Sequence, residues 1–358
     1  MRKKVAIFLC LLTLAGCSDN KPMTNLSESS EIVDETEKDA EFDYEQMRLN
    51  IGLNCDNPSI NLKSPVPAKI CGVSATDTLF YSDTNGLFQK NGEDIIMLSK
   101  SEAMAITLYK GYLYYIVPEK TDSFPSGKVY CMNPETGEER CIIEQGDISN
   151  LFVANDVLYY TVQIIKNLED GSIAVGRKHM KCGLNGENPA DDVRCLVSSD
   201  GNYNVAYVSD TISVFSSDNT EILFAVDNVN AADEICIYND KVYYIEYDYN
   251  KLEQNSIGVI DCNNSTNEKI SAKTSGGNFA YFVDYGFADG SVYMYDSVRF
   301  YKETADGMLQ YEADNSYKSI YSAESSLYAL KHDGSIARLS FTDENTVEEE
   351  VLNYENSR

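Results

Sequence analysis

Seven short apolar bursts recur along the chain: Leu79-Phe-Tyr81, Leu113-Tyr-Tyr115, Leu158-Tyr-Tyr160, Ile212-Ser-Val214, Val242-Tyr-Tyr244, Val292-Tyr-Met294 and Leu327-Tyr-Ala329. They follow one another at about 41 residues per step, the period of a four-stranded propeller blade. Between them apolar residues alternate with period 2 and are punctuated by Asn, Asp, Gly and Ser, with no long window of helical periodicity. A single unit of this kind has two apolar faces and no way to cover them alone, so neighbouring units must stack. The expected fold is all-β, a β-propeller of about seven four-stranded blades, with six or eight as alternative counts. The count is open because the copy around Ile212 is compressed and the third strand of the copy around Val292, Arg299–Thr304, is indistinct.

Most copies share an internal order of strands a, b, c and d. The third shows it: an apolar strand ending at Ala154, an Asn-Asp turn, the Leu-Tyr-Tyr strand, a variable loop, then two further strands. Asn155-Asp156, Asn239-Asp240 and Lys110-Gly111 stand in the a–b hairpin, where a two-residue turn needs residues that tolerate positive φ. The chain resembles the low-density-lipoprotein-receptor-related-protein-like β-propeller domains of bacterial surface lipoproteins, a domain-of-unknown-function family. The resemblance covers about residues 70 to 345 and is carried by Leu151–Tyr160, Ile235–Tyr244 and Gly127–Gly137. It implies an architecture and a surface location, and no activity.

The N-terminus opens with Arg2, Lys3 and Lys4 and an apolar run from Val5 to Ala15. A run this short is the core of a signal peptide and falls below the roughly 20 residues of a spanning helix. Leu14-Ala15-Gly16-Cys17 resembles a bacterial lipobox, which implies that residues 1–16 are removed and that a lipid on Cys17 holds the chain to the outer side of the bacterial cell membrane. Ser18–Glu45 has ten acidic residues against two lysines, too little apolar surface to offset the entropy of ordering. The expected organisation is therefore a signal peptide (1–16), an acidic tether from Cys17 (17–45), an entry segment (46–70) and the propeller (71–358). A formal net charge of −28 repels nucleic-acid phosphate and anionic headgroups; no nucleic-acid partner is expected, and the ectodomain reads as monomeric.

Apart from Cys10 in the signal peptide and Cys17, the cysteines are Cys55, Cys71, Cys131, Cys141, Cys182, Cys195, Cys236 and Cys262. An even set outside a reducing cytosol favours disulfides. Cys131 and Cys141 flank a turn, as do Cys182 and Cys195 one unit later, so both pairs are expected to staple c–d hairpins. Cys236–Cys262 would then tie one blade and Cys55–Cys71 the entry segment. Metal ligation is not expected, because no CxxC spacing or cysteine–histidine mixture is present.

No nucleophile, phosphate-loop, zinc or dinucleotide motif appears, and neither a cofactor nor a catalytic residue is assigned. His179 lies in the basic run Arg177-Lys-His-Met-Lys181 and is expected on a solvated strand edge, an anionic-ligand site being the alternative; His332 is expected in a surface turn. The 26 tyrosines are expected to serve mostly inter-blade packing. Function in a repeat protein gathers where the repeats differ, here in the b–c loops, so Phe124, Arg177, Tyr247 and Tyr249 are the candidate contacts. The expected role is a noncatalytic module binding an extracellular protein, peptide or glycan. A carbohydrate-active hydrolase or lyase, and an assembly or sensor subunit, are the alternatives.

Overall fold

Two-residue polar turns set the architecture. Lys110 and Gly111 have φ of 50° and 77°, and Asn239 and Asp240 have 48° and 58°, the left-handed pair that matches the twist of a β-hairpin. Each turn joins the first and second strands of a four-stranded unit, as its sequence indicates. The computed structural model describes residues 59–60, 70–73, 78–120, 125–154, 156–167, 173–192, 195–199, 202–208, 210–216, 222–229, 233–247, 255–323 and 326–353.

Among these residues every strand pairing within a sheet is antiparallel, and the strands form seven blades. Blade I comprises Ile70–Val73, Thr78–Asp83, Gly86–Asn91 and Asp94–Ser99, with Ser59–Ile60 added beside the first strand. Blades II and III share the long strand Glu139–Ala154. Its start pairs with Ser126–Met132 as the last strand of blade II, and its end pairs with Val157–Asn167 as the first strand of blade III. Blade II also contains Met104–Tyr109 and Tyr112–Lys120, and blade III continues through Ile173–Gly183 to Ala190–Asp191.

Blade IV is Leu196–Ser199, Tyr203–Val208, Thr211–Ser216 and Ile222–Val226, and blade V is Asp233–Tyr238, Lys241–Tyr247, Asn255–Asp261 and Thr266–Ile270. Blade VI is Asp284–Ala288, Ser291–Tyr295, Arg299–Thr304 and Gly307–Glu312; blade VII is Tyr317–Ala323, Ser326–Lys331, Ile336–Phe341 and Val347–Val351. Arg299–Thr304 is thus a regular third strand. The Ile212 burst departs from the repeat, standing in the third strand of its blade and not the second. Leu196–Ser199, which the sequence places as the closing strand of the preceding unit, is the first strand of blade IV.

The aromatic bursts fill the seams between blades. Tyr114, Ile116, Leu158 and Tyr160 pack between blades II and III, Tyr244 and Val242 between IV and V, and Tyr243, Tyr285 and Phe287 between V and VI. Buried polar side chains bind the crossovers from blade I to blade II and from blade VI to blade VII to the blade they leave. The Ser82 hydroxyl accepts the Ala103 N–H at 2.7 Å, and the Tyr295 hydroxyl accepts the Tyr317 N–H at 2.8 Å. Asp284, buried on the first strand of blade VI, accepts the N–H of Tyr285 at 2.7 Å and that of Ile320 in blade VII at 2.6 Å.

Among the described residues the expected disulfides Cys131–Cys141, Cys182–Cys195 and Cys236–Cys262 are not formed, and all six are free thiols. Register explains the first pair. Cys131 stands opposite Arg140 and Cys141 opposite Tyr130, so the two thiols lie one position apart on the ladder and point to opposite faces, where no bridge can close. Cys236 lies in the core between blades V and VI and Cys262 in the core between IV and V, again on opposite faces of one sheet. Cys182 faces blade II, whereas Cys195 stands at the entry to blade IV, its N–H donating to the Asp192 carbonyl at 3.2 Å. Burial pushes the Cys182 and Cys195 thiols up to about 11, with Glu187 and Asp192 respectively adding to the shift. Cys17 and Cys55 lie outside the described residues, as does the side chain of Cys71.

Candidate functional site

Antiparallel alternation within a blade sends the b–c and d–a connections to one face of the ring. On that face the crossover from blade V to blade VI, residues 271–283, folds back as a narrow extended turn. Gly277 N–H donates to the Thr274 carbonyl at 2.8 Å, Thr274 N–H to Asn278 at 2.8 Å and Ala280 N–H to Ala272 at 2.9 Å. Its last residues alternate strictly. Ala280 and Phe282 are buried with Ala272 in the core between the two blades, while Phe279, Tyr281 and Val283 are 44%, 40% and 39% exposed. In extended backbone, alternate side chains lie about 7 Å apart, so the three form a row about 13 Å long.

The row has a rigid base. Asn255, buried in the third strand of blade V, donates through Nδ2 to the Phe282 carbonyl at 2.6 Å and accepts the Phe282 N–H on Oδ1 at 2.7 Å. Val283 N–H donates to the Tyr295 carbonyl at 2.8 Å. Tyr247, at the loop end of the second strand of blade V, brings its ring to 6.2 Å from Tyr281 at an interplanar angle of 44°. The Lys273 ammonium lies 5.4 Å from the Phe279 ring centroid.

Of the residues nominated from sequence, Tyr247 is half-buried beside this row. Arg177 is exposed near the start of the third strand of blade III, on the same face but in a different blade. Phe124 and Tyr249 lie outside the described residues. Phe279, Tyr281 and Val283 had no signal beyond their alternation, because an apolar stretch with buried neighbours reads as an ordinary core strand.

His179 is not on a solvated edge. Its ring is partly buried between blades III and IV, with Nδ1 3.4 Å from the Thr161 hydroxyl, in a cavity of about 10 Å³ lined also by Asn150 and Asp192. That volume holds about one water. Burial lowers the His179 pKa, as does Arg177, while the Asp192 carboxylate opposes the shift. Asp192 accepts the Leu196 N–H on Oδ2 at 3.0 Å and so joins blade III to blade IV. His332 is exposed in a turn. Among the described residues no group of three or more His, Cys, Asp or Glu side chains could hold a metal ion.

No family model and no curated protein matches the chain. Solved structures do. Kluyveromyces lactis Hsv2 with loop 6CD replaced by a Gly-Ser linker superposes with a TM-score of 0.50 at 11% identity, covering 82% of this chain and 98% of that one. The β-propeller domain of Myceliophteria thermophila Cps50 (Swd1) superposes with a TM-score of 0.50 at 10% identity, covering 79% and 99%. At that identity the likeness is one of fold, and with the seven antiparallel blades it makes the chain a β-propeller.

Proposed function

We propose that this propeller is a noncatalytic binding module that grips an extracellular protein or peptide on the Tyr247–Phe279–Tyr281–Val283 row, and that the chain is a bacterial lipoprotein anchored by Cys17. The observation that carries the binding reading is the exposed apolar row on a clamped base. Exposed apolar patches of this kind mark interaction sites, and aromatic anchors held rigid before binding lose little entropy on contact. Phe279 and Val283 have no polar atom to offer a sugar hydroxyl, which favours an apolar protein side chain over a glycan. The noncatalytic reading draws on Asp284, whose two oxygens accept main-chain N–H groups. The anchor rests on the lipobox residues and the short apolar run before them.

Crosslinking in living cells tests the binding reading, and cell fractionation tests the anchor. With a photoreactive residue at position 281, a discrete protein product is expected; at the exposed Ser340 in blade VII, none. The double variant Phe279→Ala/Tyr281→Ala should reduce capture of the same partner at a photoreactive position 283 at least tenfold, in line with about 1.4 kcal/mol or more from an anchor pair. Cys17→Ser should move the protein from the membrane to the soluble fraction. Absence of a product at 279, 281 and 283, or hydrolysis of a glycan or peptide at an enzymatic rate by the purified protein, would sink the binding reading. Retention of Cys17→Ser on the membrane would sink the anchor.

A further inference from the structure

The third strand of blade III has an open outer edge. Ile173–Gly183 pairs without a break along Val157–Asn167, from Gly183 opposite Val157 to Ile173 opposite Asn167. On its other side Ala190–Asp191 covers only Met180 and Lys181, whereas the outer strands of blades V, VI and VII are five or six residues long. The remaining hydrogen bonds show which groups face outward. Asp192 N–H donates to the His179 carbonyl and Gly183 N–H to the Glu187 carbonyl, each at 2.9 Å. His179 and Gly183 therefore turn their main-chain groups away from Val157–Asn167, and strand alternation turns those of Arg177, Val175 and Ile173 the same way. Among the described residues no strand meets these three, and an open row of N–H and C=O groups is a template for another strand.

The charge of this hairpin is opposite to that of the chain. Within a protein of net charge −28, the strands Val157–Asn167 and Ile173–Gly183 carry Lys166, Arg177, Lys178 and Lys181 and no carboxylate. Lys178 is 2.7 Å from Asp191, at the end of the short outer strand. Ile164 and Ile165, on opposite faces of the hairpin, are 41% and 40% exposed, so the hairpin projects beyond the blades beside it. A second copy of this chain would bring the same four cations against themselves, which disfavours edge-to-edge self-pairing.

We infer that this edge accepts a strand from a partner protein, an extended segment of about six residues in which acidic side chains alternate with apolar ones. Main-chain hydrogen bonds to Ile173, Val175 and Arg177 supply the register, and the cations select the acidic strand. The edge is two blades from the Tyr281 row, so either site can fail without the other.

The test titrates the full chain with two seven-residue peptides, one of alternating glutamate and valine and one of alternating lysine and valine, and reads amide exchange over residues 173–178. The glutamate peptide is expected to bind, to slow exchange at Ile173, Val175 and Arg177 at least tenfold, and to weaken as salt is raised; the lysine peptide should bind at least tenfold more weakly. Arg177→Pro deletes an outward N–H and leaves the ladder to Val157–Asn167 intact, as proline on a sheet edge can. It should lose at least tenfold in affinity with an unchanged thermal midpoint, and Arg177→Ala, which keeps the N–H, should lose less. No binding, binding without protection at 173–178, or unchanged binding by folded Arg177→Pro would each overturn the assignment. Protection of these amides in the chain alone would give the edge to a segment of this chain, such as the acidic stretch Asp39–Glu45, and equally overturn it. Should Arg177→Pro fail to fold, exchange in the parent protein still decides.

Discussion

Asn255→Leu is expected to cost about 2–6 kcal/mol of stability and to dismantle the apolar row in the same step. Leucine preserves the volume of the side chain, so the loss is one of hydrogen bonding. The Phe282 N–H and carbonyl, at 2.7 and 2.6 Å from the Asn255 amide, would be left without partners beside a fully buried phenyl ring, and each orphaned main-chain group costs about 1–3 kcal/mol. Set against the 5–15 kcal/mol typical of a folded domain, that is a large fraction. Because Phe282 alternates with Tyr281 and Val283, release of its main chain frees the exposed side chains on either hand. Denaturant unfolding should show a lower midpoint, and crosslinking through position 281 should fall with it. Asn255→Asp, which keeps the acceptor and loses the donor, should lie between. A loss of under about 0.5 kcal/mol in Asn255→Leu would mean that the base of the row is held by something other than this amide.

Much of the ring was legible because its signals are local. A positive-φ pair at Lys110-Gly111 or Asn239-Asp240 announces a hairpin whatever surrounds it, and the Tyr-rich second strands announce seams because so much aromatic surface has to be covered. The errors lie where one residue of register decides. Cys131 and Cys141 occupy the expected hairpin, yet a shift of a single position across the Asn133–Gly137 turn puts them back to back. Leu196 follows an Arg-Cys pair as Ile142 does, but blade III closes with the two residues Ala190–Asp191 and the chain moves on early. The Ile212 burst therefore slips from second to third strand. His179 sits in a run of cations that looks solvated, and the approach of blade IV, with Asp192 and Leu196, partly buries its ring. The Asn255 clamp joins positions 27 residues apart, a distance at which one sequence offers no pairing signal.

The second large effect concerns how the ring closes. Blade I is built from Ile70–Ser99 with Ser59–Ile60 beside it and blade VII from Tyr317–Val351, each in sequence order, and among the described residues no strand is exchanged between them. Side-chain packing lines the seam. Leu79, Tyr81 and Phe88 of blade I meet Tyr321, Tyr328, Leu330 and Ile336 of blade VII, with Leu352 beside them, and the Tyr81 and Phe88 rings stack at 5.2 Å. Tyr321 projects from the innermost strand of blade VII into this core. Tyr321→Ala should cost about 3–5 kcal/mol, the range for deleting a large buried aromatic side chain. The place where that loss appears tells whether the seam is the ring's weak point. Tyr244→Ala removes the same side chain between blades IV and V, where the chain itself runs from one blade into the next. If side-chain packing alone closes the ring, Tyr321→Ala should speed amide exchange about a hundredfold or more in Thr78–Asp83 and Tyr317–Ala323 before it does so in Lys241–Tyr247, because local opening needs less than global unfolding. Tyr244→Ala should instead raise exchange in all blades together, since the covalent connection prevents that seam from parting alone. Equal acceleration in every blade of Tyr321→Ala would mean that the ring unfolds as one cooperative unit and that packing at the closing seam is as strong as a shared strand.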